Sequence, residues 1–158
     1  MKAATVSELK KELSTRSPKE LLELCLRLSK FKKENKELLT YLLYEASNET
    51  GYIESVKREM DQEFELINRQ RFYFIKKSVR KILRNVKKYI RYSKNKETEV
   101  DLLIYFCTKL KNFSPSIKKN ITLNNLYHRQ IAMIRKTVST LDEDLQYDYE
   151  MELEQLAQ

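Results

Sequence analysis

At average usage, about 7% glycine and about 5% proline, a chain of this length would hold roughly eleven glycines and eight prolines. Among its 158 residues it has one glycine, two prolines, one histidine, two cysteines and no tryptophan. Scarce glycine excludes phosphate-cradling loops, dinucleotide fingerprints and tight β-hairpins, which need a residue without Cβ where the backbone turns sharply or approaches a ligand. With His128 as the single histidine, no Cys and His cluster offers tetrahedral metal ligands, and no Ser, His and Asp set can be nominated. Position 125 is Asn125, so the Glu-x-x-His spacing of di-metal helix bundles is missing too. Cys25 and Cys107 lie far apart in apolar helical contexts and read as two buried thiols behaving as small hydrophobes. No long hydrophobic run is present at a mean hydropathy of -0.65, so neither a signal peptide nor a transmembrane helix is expected. These absences lead us to expect a cytoplasmic chain that is not an enzyme and takes no cofactor or metal. The sequons at Asn48 and Asn120 are then without consequence.

What is present is helical periodicity. Ser17-Pro18-Lys19-Glu20 predicts a capping box with proline in the first turn, opening a helix that runs to about Phe31. Leu21, Leu24, Cys25, Leu28 and Phe31 give that helix an apolar face. A short helix before it, capped by Ser7, carries Val6, Leu9 and Leu13. Leu38, Leu39, Leu42, Leu43 and Ala46 mark a third, ended by Ser47-Asn48 and Gly51. A fourth starts at Tyr52, and its apolar period continues almost into the next, so the two are expected to be nearly continuous. The fifth, residues 72–92, has the most regular pattern. The sixth, from near Thr98, is apolar nearly all round and should be central. Ser114-Pro115 opens a stretch interrupted between residues 120 and 125; a long helix follows, and a last one starts at Asp142. The expectation is an all-α single domain, residues 1–158, of seven or eight antiparallel helices, bundled or stacked in pairs.

Charge is divided sharply along this chain. The formal net charge is +8. Residues 66–96 hold 12 Lys or Arg and no acid, whereas residues 137–158 hold 7 acids and no Lys or Arg. At about 100° per residue, Lys76, Lys77, Arg80, Lys81, Arg84, Lys87, Lys88 and Arg91 fall within an arc of roughly 140°. Ile75, Val79, Ile82, Leu83, Val86 and Ile90 fill a separate arc. Solvated helix faces usually mix signs, because like charges one turn apart repel, so an unopposed cationic arc points to an anion. Besides an acidic partner protein, three anions are open: the chain's own acidic helix, residues 142–158, lying peripherally; a nucleic acid, with stacking from Tyr73, Tyr89 and Tyr92; or an acidic membrane surface. A membrane surface is disfavoured, since the apolar arc is the natural core face. The eight cations are therefore the candidate site, in a helical binding or adaptor domain whose alternative role is sequence-tolerant DNA or RNA binding. Carboxylate pairs such as Glu59 and Glu63 read as solvent-facing charge, and among the ten tyrosines Tyr41, Tyr44, Tyr52, Tyr127, Tyr147 and Tyr149 read as half-buried packing at helix interfaces.

The succession Leu9-Lys10-Lys11-Glu12-Leu13, Ser17-Pro18-Lys19-Glu20-Leu21-Leu22-Glu23-Leu24, Lys36-Glu37-Leu38-Leu39-Thr40-Tyr41-Leu42, the basic Lys76 to Tyr92 helix and Glu99-Val100-Asp101-Leu102-Leu103-Ile104-Tyr105-Phe106 resembles a family of small, functionally uncharacterised all-helical bacterial proteins. The resemblance spans about the first 110 residues. It implies a helical intracellular protein that functions through a surface, and it carries no site residue.

Overall fold

A computed structural model describes residues 1–157, and every regular element among them is helical. Among the described residues there are eight α-helices, within the expected seven or eight. Their contacts fall into two units, Met1–Tyr44 and a second that begins at Glu45.

The first unit contains α1 (Val6–Leu13), α2 (Pro18–Phe31) and α3 (Lys33–Thr40). The α2 capping box forms as its residues dictate: Ser17 Oγ accepts the Glu20 N–H at 3.2 Å, and Glu20 Oε2 accepts the Ser17 N–H at 2.8 Å. The cap of α1 is Thr5 rather than Ser7, because Thr5 has Glu8 three residues on and makes the same reciprocal pair. A single extended residue, Lys32, separates α2 from α3, which pack together while Asn35 Nδ2 donates to the Leu28 carbonyl at 2.8 Å. The expected apolar face of α2 is not a core. Leu24, Leu28 and Phe31 are exposed, and so is Cys25, contrary to the expectation of two buried thiols. Only Cys107 is buried, and burial pushes its thiol up to about 12. A π-helical turn, Tyr41–Glu45, follows α3, so the third helix ends short of Ala46.

The second unit holds α4 (Glu49–Glu65), α5 (Phe72–Ser93), α6 (Lys96–Lys111), a 3₁₀ turn (Ile117–Lys119), α7 (Ile121–Val138) and α8 (Glu143–Ala157). Gly51 lies in the first turn of α4 and does not terminate the helix before it. Asn48 Oδ1 accepts the Gly51 N–H at 3.1 Å, and a Cβ on the glycine would come within 2.5 Å of Asn48 Nδ2. The glycine thus makes room for a cap. Asn120 caps α7 in the same way, accepting the Leu123 N–H at 3.1 Å, so both sequon asparagines have a helix to start. That cap also places the expected break ahead of α7, which then runs uninterrupted.

Helices α4 and α5 are not continuous. Between them Asn68 Oδ1 accepts the Gln70 N–H at 3.0 Å in a local turn, while Arg69 reaches across to donate to the Ser114 carbonyl at 3.2 Å. Lys94, in the left-handed region at φ 57, ends α5, and Asn95 caps α6 one residue later. Helix α6 is central as predicted: no residue from Thr98 to Lys111 is exposed. Helices α4, α5, α7 and α8 all pack on it. Phe106 is fully buried there, its ring centroid 5.8 Å from that of Phe64 on α4.

Two predictions follow from this packing. Phe106→Ala, which opens a cavity at the centre, should cost about 3–5 kcal/mol, while exposed Leu66→Ala should stay within about 0.5 kcal/mol. Urea unfolding midpoints at unchanged m-value would measure both. The second concerns Asp61. Burial pushes its carboxyl up, but hydrogen bonds from Lys109 at 2.8 Å and from the Tyr105 hydroxyl at 2.8 Å, with the Lys109 charge, hold it below the ordinary value. A depressed carboxylate contributes stability above its unfolded value of about 3.9 and loses it as pH falls through the folded value. Lys109→Met should therefore destabilise by no more than about 1 kcal/mol at pH 7, this being a partly exposed pair. On acidification below about pH 4 its unfolding midpoint should fall less steeply than that of the wild type.

Candidate functional site

The cationic arc is set by the burial of its opposite. Ile75, Val79, Ile82 and Val86 on α5 are buried, and the helix packs on α4 and α6. That fixes its rotation and turns Lys77, Arg80, Lys81, Arg84 and Arg91 to the outside, where all five are exposed. Lys76, Lys87 and Lys88 are half-buried. Lys87 leans toward α7, its Nζ 3.5 Å from Met133 Sδ. Burial draws its ammonium below the ordinary lysine range; the Glu99 charge opposes that and Arg129 adds to it. Lys88 Nζ sits 5.0 Å from the centroid of the Tyr89 ring. The candidate site therefore narrows to the five exposed cations with Lys76 at their edge. A shallow cleft of about 580 Å³ runs along Tyr73, Lys76, Lys77, Arg80, Lys81 and Arg84.

Nearby carboxylates do not neutralise the exposed cations of this face. Glu59 of α4 accepts the Tyr89 hydroxyl at 2.8 Å, and Glu63 accepts Asn85 Nδ2 at 3.2 Å. Glu49 accepts the hydroxyls of Ser93 and, at 2.6 Å, of Thr98. On α6, Glu99 accepts from Thr137 at 3.0 Å and Asp101 from Tyr149 at 2.9 Å. Glu59 and Glu63, expected as solvent-facing charge, are instead half-buried links between helices. Among the described residues no carboxylate pairs with Lys76, Lys77, Arg80, Lys81, Arg84 or Arg91.

Two further expectations are corrected. The acidic helix does not lie on the basic one, because its own apolar residues hold it elsewhere. Tyr149, Leu153 and Leu156 are buried as α8 packs on α6 and α7. The Tyr127 hydroxyl donates to the Leu156 carbonyl at 2.7 Å, and Lys111 Nζ to that of Gln155 at 2.7 Å. Burial, then the Asp101 hydrogen bond, pushes the Tyr149 hydroxyl well above the ordinary tyrosine range. Nor are three tyrosines free to stack. Tyr92 is buried, Tyr89 is half-buried and bonded to Glu59, and only Tyr73 is exposed on the arc.

His128 is exposed on α7, its ring edge-on to Tyr127 at 5.5 Å between centroids. Among the described residues no three His, Cys, Asp or Glu side chains are grouped to hold a metal ion. A second depression, of about 410 Å³, gathers Lys111, Lys118, Asn124 and His128 from three elements. Nothing in sequence spacing announces it, because α6, the 3₁₀ turn and α7 meet there only through tertiary packing.

No protein-family model, no curated protein and no solved structure matches this chain.

Proposed function

We propose that this protein is a non-enzymatic binding module, acting in the cytoplasm, which docks an acidic partner surface on the exposed face of α5. The observation that carries this reading is that, among the described residues, no carboxylate pairs with Lys77, Arg80, Lys81, Arg84 or Arg91, although acids stand on the neighbouring helices. Four of these cations lie within two turns on a helix whose far side is held in the core, so they form a preorganised surface. Complementary charge steers encounter and fixes register. Sequence-tolerant binding of DNA or RNA through phosphates is the second reading, favoured by exposed Tyr73 beside the cations. A protein surface ranks ahead of a stacked single strand because Tyr89 and Tyr92 are engaged in the fold. No helix among the described residues is long and apolar enough to cross a membrane, and the apolar side of α5 is occupied by the core, which removes the anchor that membrane docking would use.

Titration of the full chain against a labelled poly-glutamate peptide and a labelled single-stranded oligonucleotide would test both readings. Poly-glutamate should bind, more weakly as salt rises from about 50 to 200 mM, and Arg80→Glu/Arg84→Glu should reduce affinity at least about tenfold. Lys118→Glu/Lys119→Glu, which changes charge equally on another element, should have a much smaller effect. Tighter binding of the oligonucleotide, with affinity linear in log salt, would favour the nucleic-acid reading. Failure of both ligands to bind would refute both.

A further inference from the structure

The second charged face of the molecule is the outside of α8, and its layout is that of a docking surface. Asp142, Glu143, Asp144, Asp148, Glu150, Glu152 and Glu154 are all exposed, and none is ion-paired among the described residues. Opposite the buried Tyr149, Leu153 and Leu156, the helix carries two exposed apolar residues one turn apart, Tyr147 at 66% and Met151 at 49% exposure. At about 100° per residue, Glu143, Glu150 and Glu154 lie along one flank of this seam and Asp144, Asp148 and Glu152 along the other. An apolar centre with a charged rim is the usual anatomy of a protein interface.

Resting on the reading of α5 given above, we propose that the acidic surface it docks is this outer face of α8 on a second copy of the chain. The two faces are complementary in charge, and each has what the other lacks: α8 carries no cation, and residues 66–96 carry no acid. They also match in extent. At 1.5 Å per residue, Lys77 to Arg91 spans about 21 Å and Glu143 to Glu154 about 17 Å. Within one chain they do not meet, because α5 turns its cations away from α4 and α6 while α8 turns its acids away from α6 and α7. Two copies can bring them together. Exposed ion pairs contribute little singly, so Tyr147 and Met151 against Tyr73 and the arginine planes supply the contact while the charges set the register. A two-fold axis would use the pairing twice and leave neither face open.

Sedimentation velocity of the full chain tests this. Wild type should self-associate at about 50 mM salt and dissociate at about 1 M, where the Debye length is roughly 3 Å. Arg80→Glu/Arg84→Glu and Asp148→Lys/Glu152→Lys should each weaken self-association at least about tenfold by placing like charges opposite each other. All four positions are exposed and, among the described residues, in no ion pair, so unchanged thermal unfolding should accompany the loss. Mixed in equal amounts, the two variants should associate at least tenfold more tightly than either does alone, since reversed α5 then faces reversed α8 and native α5 faces native α8. A wild-type chain that stays monomeric at low salt while binding poly-glutamate through Arg80 and Arg84 would overturn the self-pairing and leave the α5 reading intact. Nucleic acid bound by a monomeric chain would likewise overturn it. Association that ignores both reversals would assign the contact to another surface, and the self-pairing would be wrong.

Discussion

The second unit depends on a constraint carried by one helix. From Thr98 to Lys111, α6 has no exposed residue, and eight of its side chains are buried. A helix so enclosed needs cover on every side, and α4, α5, α7 and α8 supply it. Each covering helix must turn its own apolar stripe inward, which fixes the rotation of all four about their axes. The outward direction of the cations on α5 and of the acids on α8 is a consequence of that rotation. Burial of Ile75, Val79, Leu153 and Leu156 decides where the charges stand, and attraction between the charges does not.

Tyrosine hydroxyls shape the surface as much as the charges do. Tyr89, Tyr105 and Tyr149 donate to Glu59, Asp61 and Asp101, and Tyr52 donates to the Tyr89 carbonyl. A half-buried carboxylate costs free energy unless it is hydrogen-bonded, and a phenol provides that bond while burying its ring. Glu59, Asp61 and Asp101 are therefore occupied in joining helices and do not pair with the exposed cations of α5. This accounts physically for a cationic face that persists beside several carboxylates.

Legibility from sequence followed the range of the interaction. The α2 cap was readable because Ser17 and Glu20 are three residues apart, and the α5 stripe because its period is local to one helix. Thr5 was missed in favour of Ser7 although Glu8 signals the same motif. Gly51 was read as a stop; its role depends on the Asn48 side chain closing over it. Cys25, on the apolar face of α2, was read as a buried thiol, yet it is exposed and Leu28 and Phe31 with it, since periodicity reveals that a face is apolar and not what covers it.

By itself the sequence determined an all-α fold, the central place of α6 and the separation of charge into a basic helix and an acidic one. These follow from residue spacing within single helices and from composition, which need no knowledge of distant partners. Only the tertiary structure decided which of eight cations are exposed, that Glu59 and Glu63 join helices, and that α8 stands on α6 and α7 away from α5. Such outcomes depend on contacts between residues dozens of positions apart, where a buried tyrosine or leucine outweighs the attraction of exposed charges screened by water.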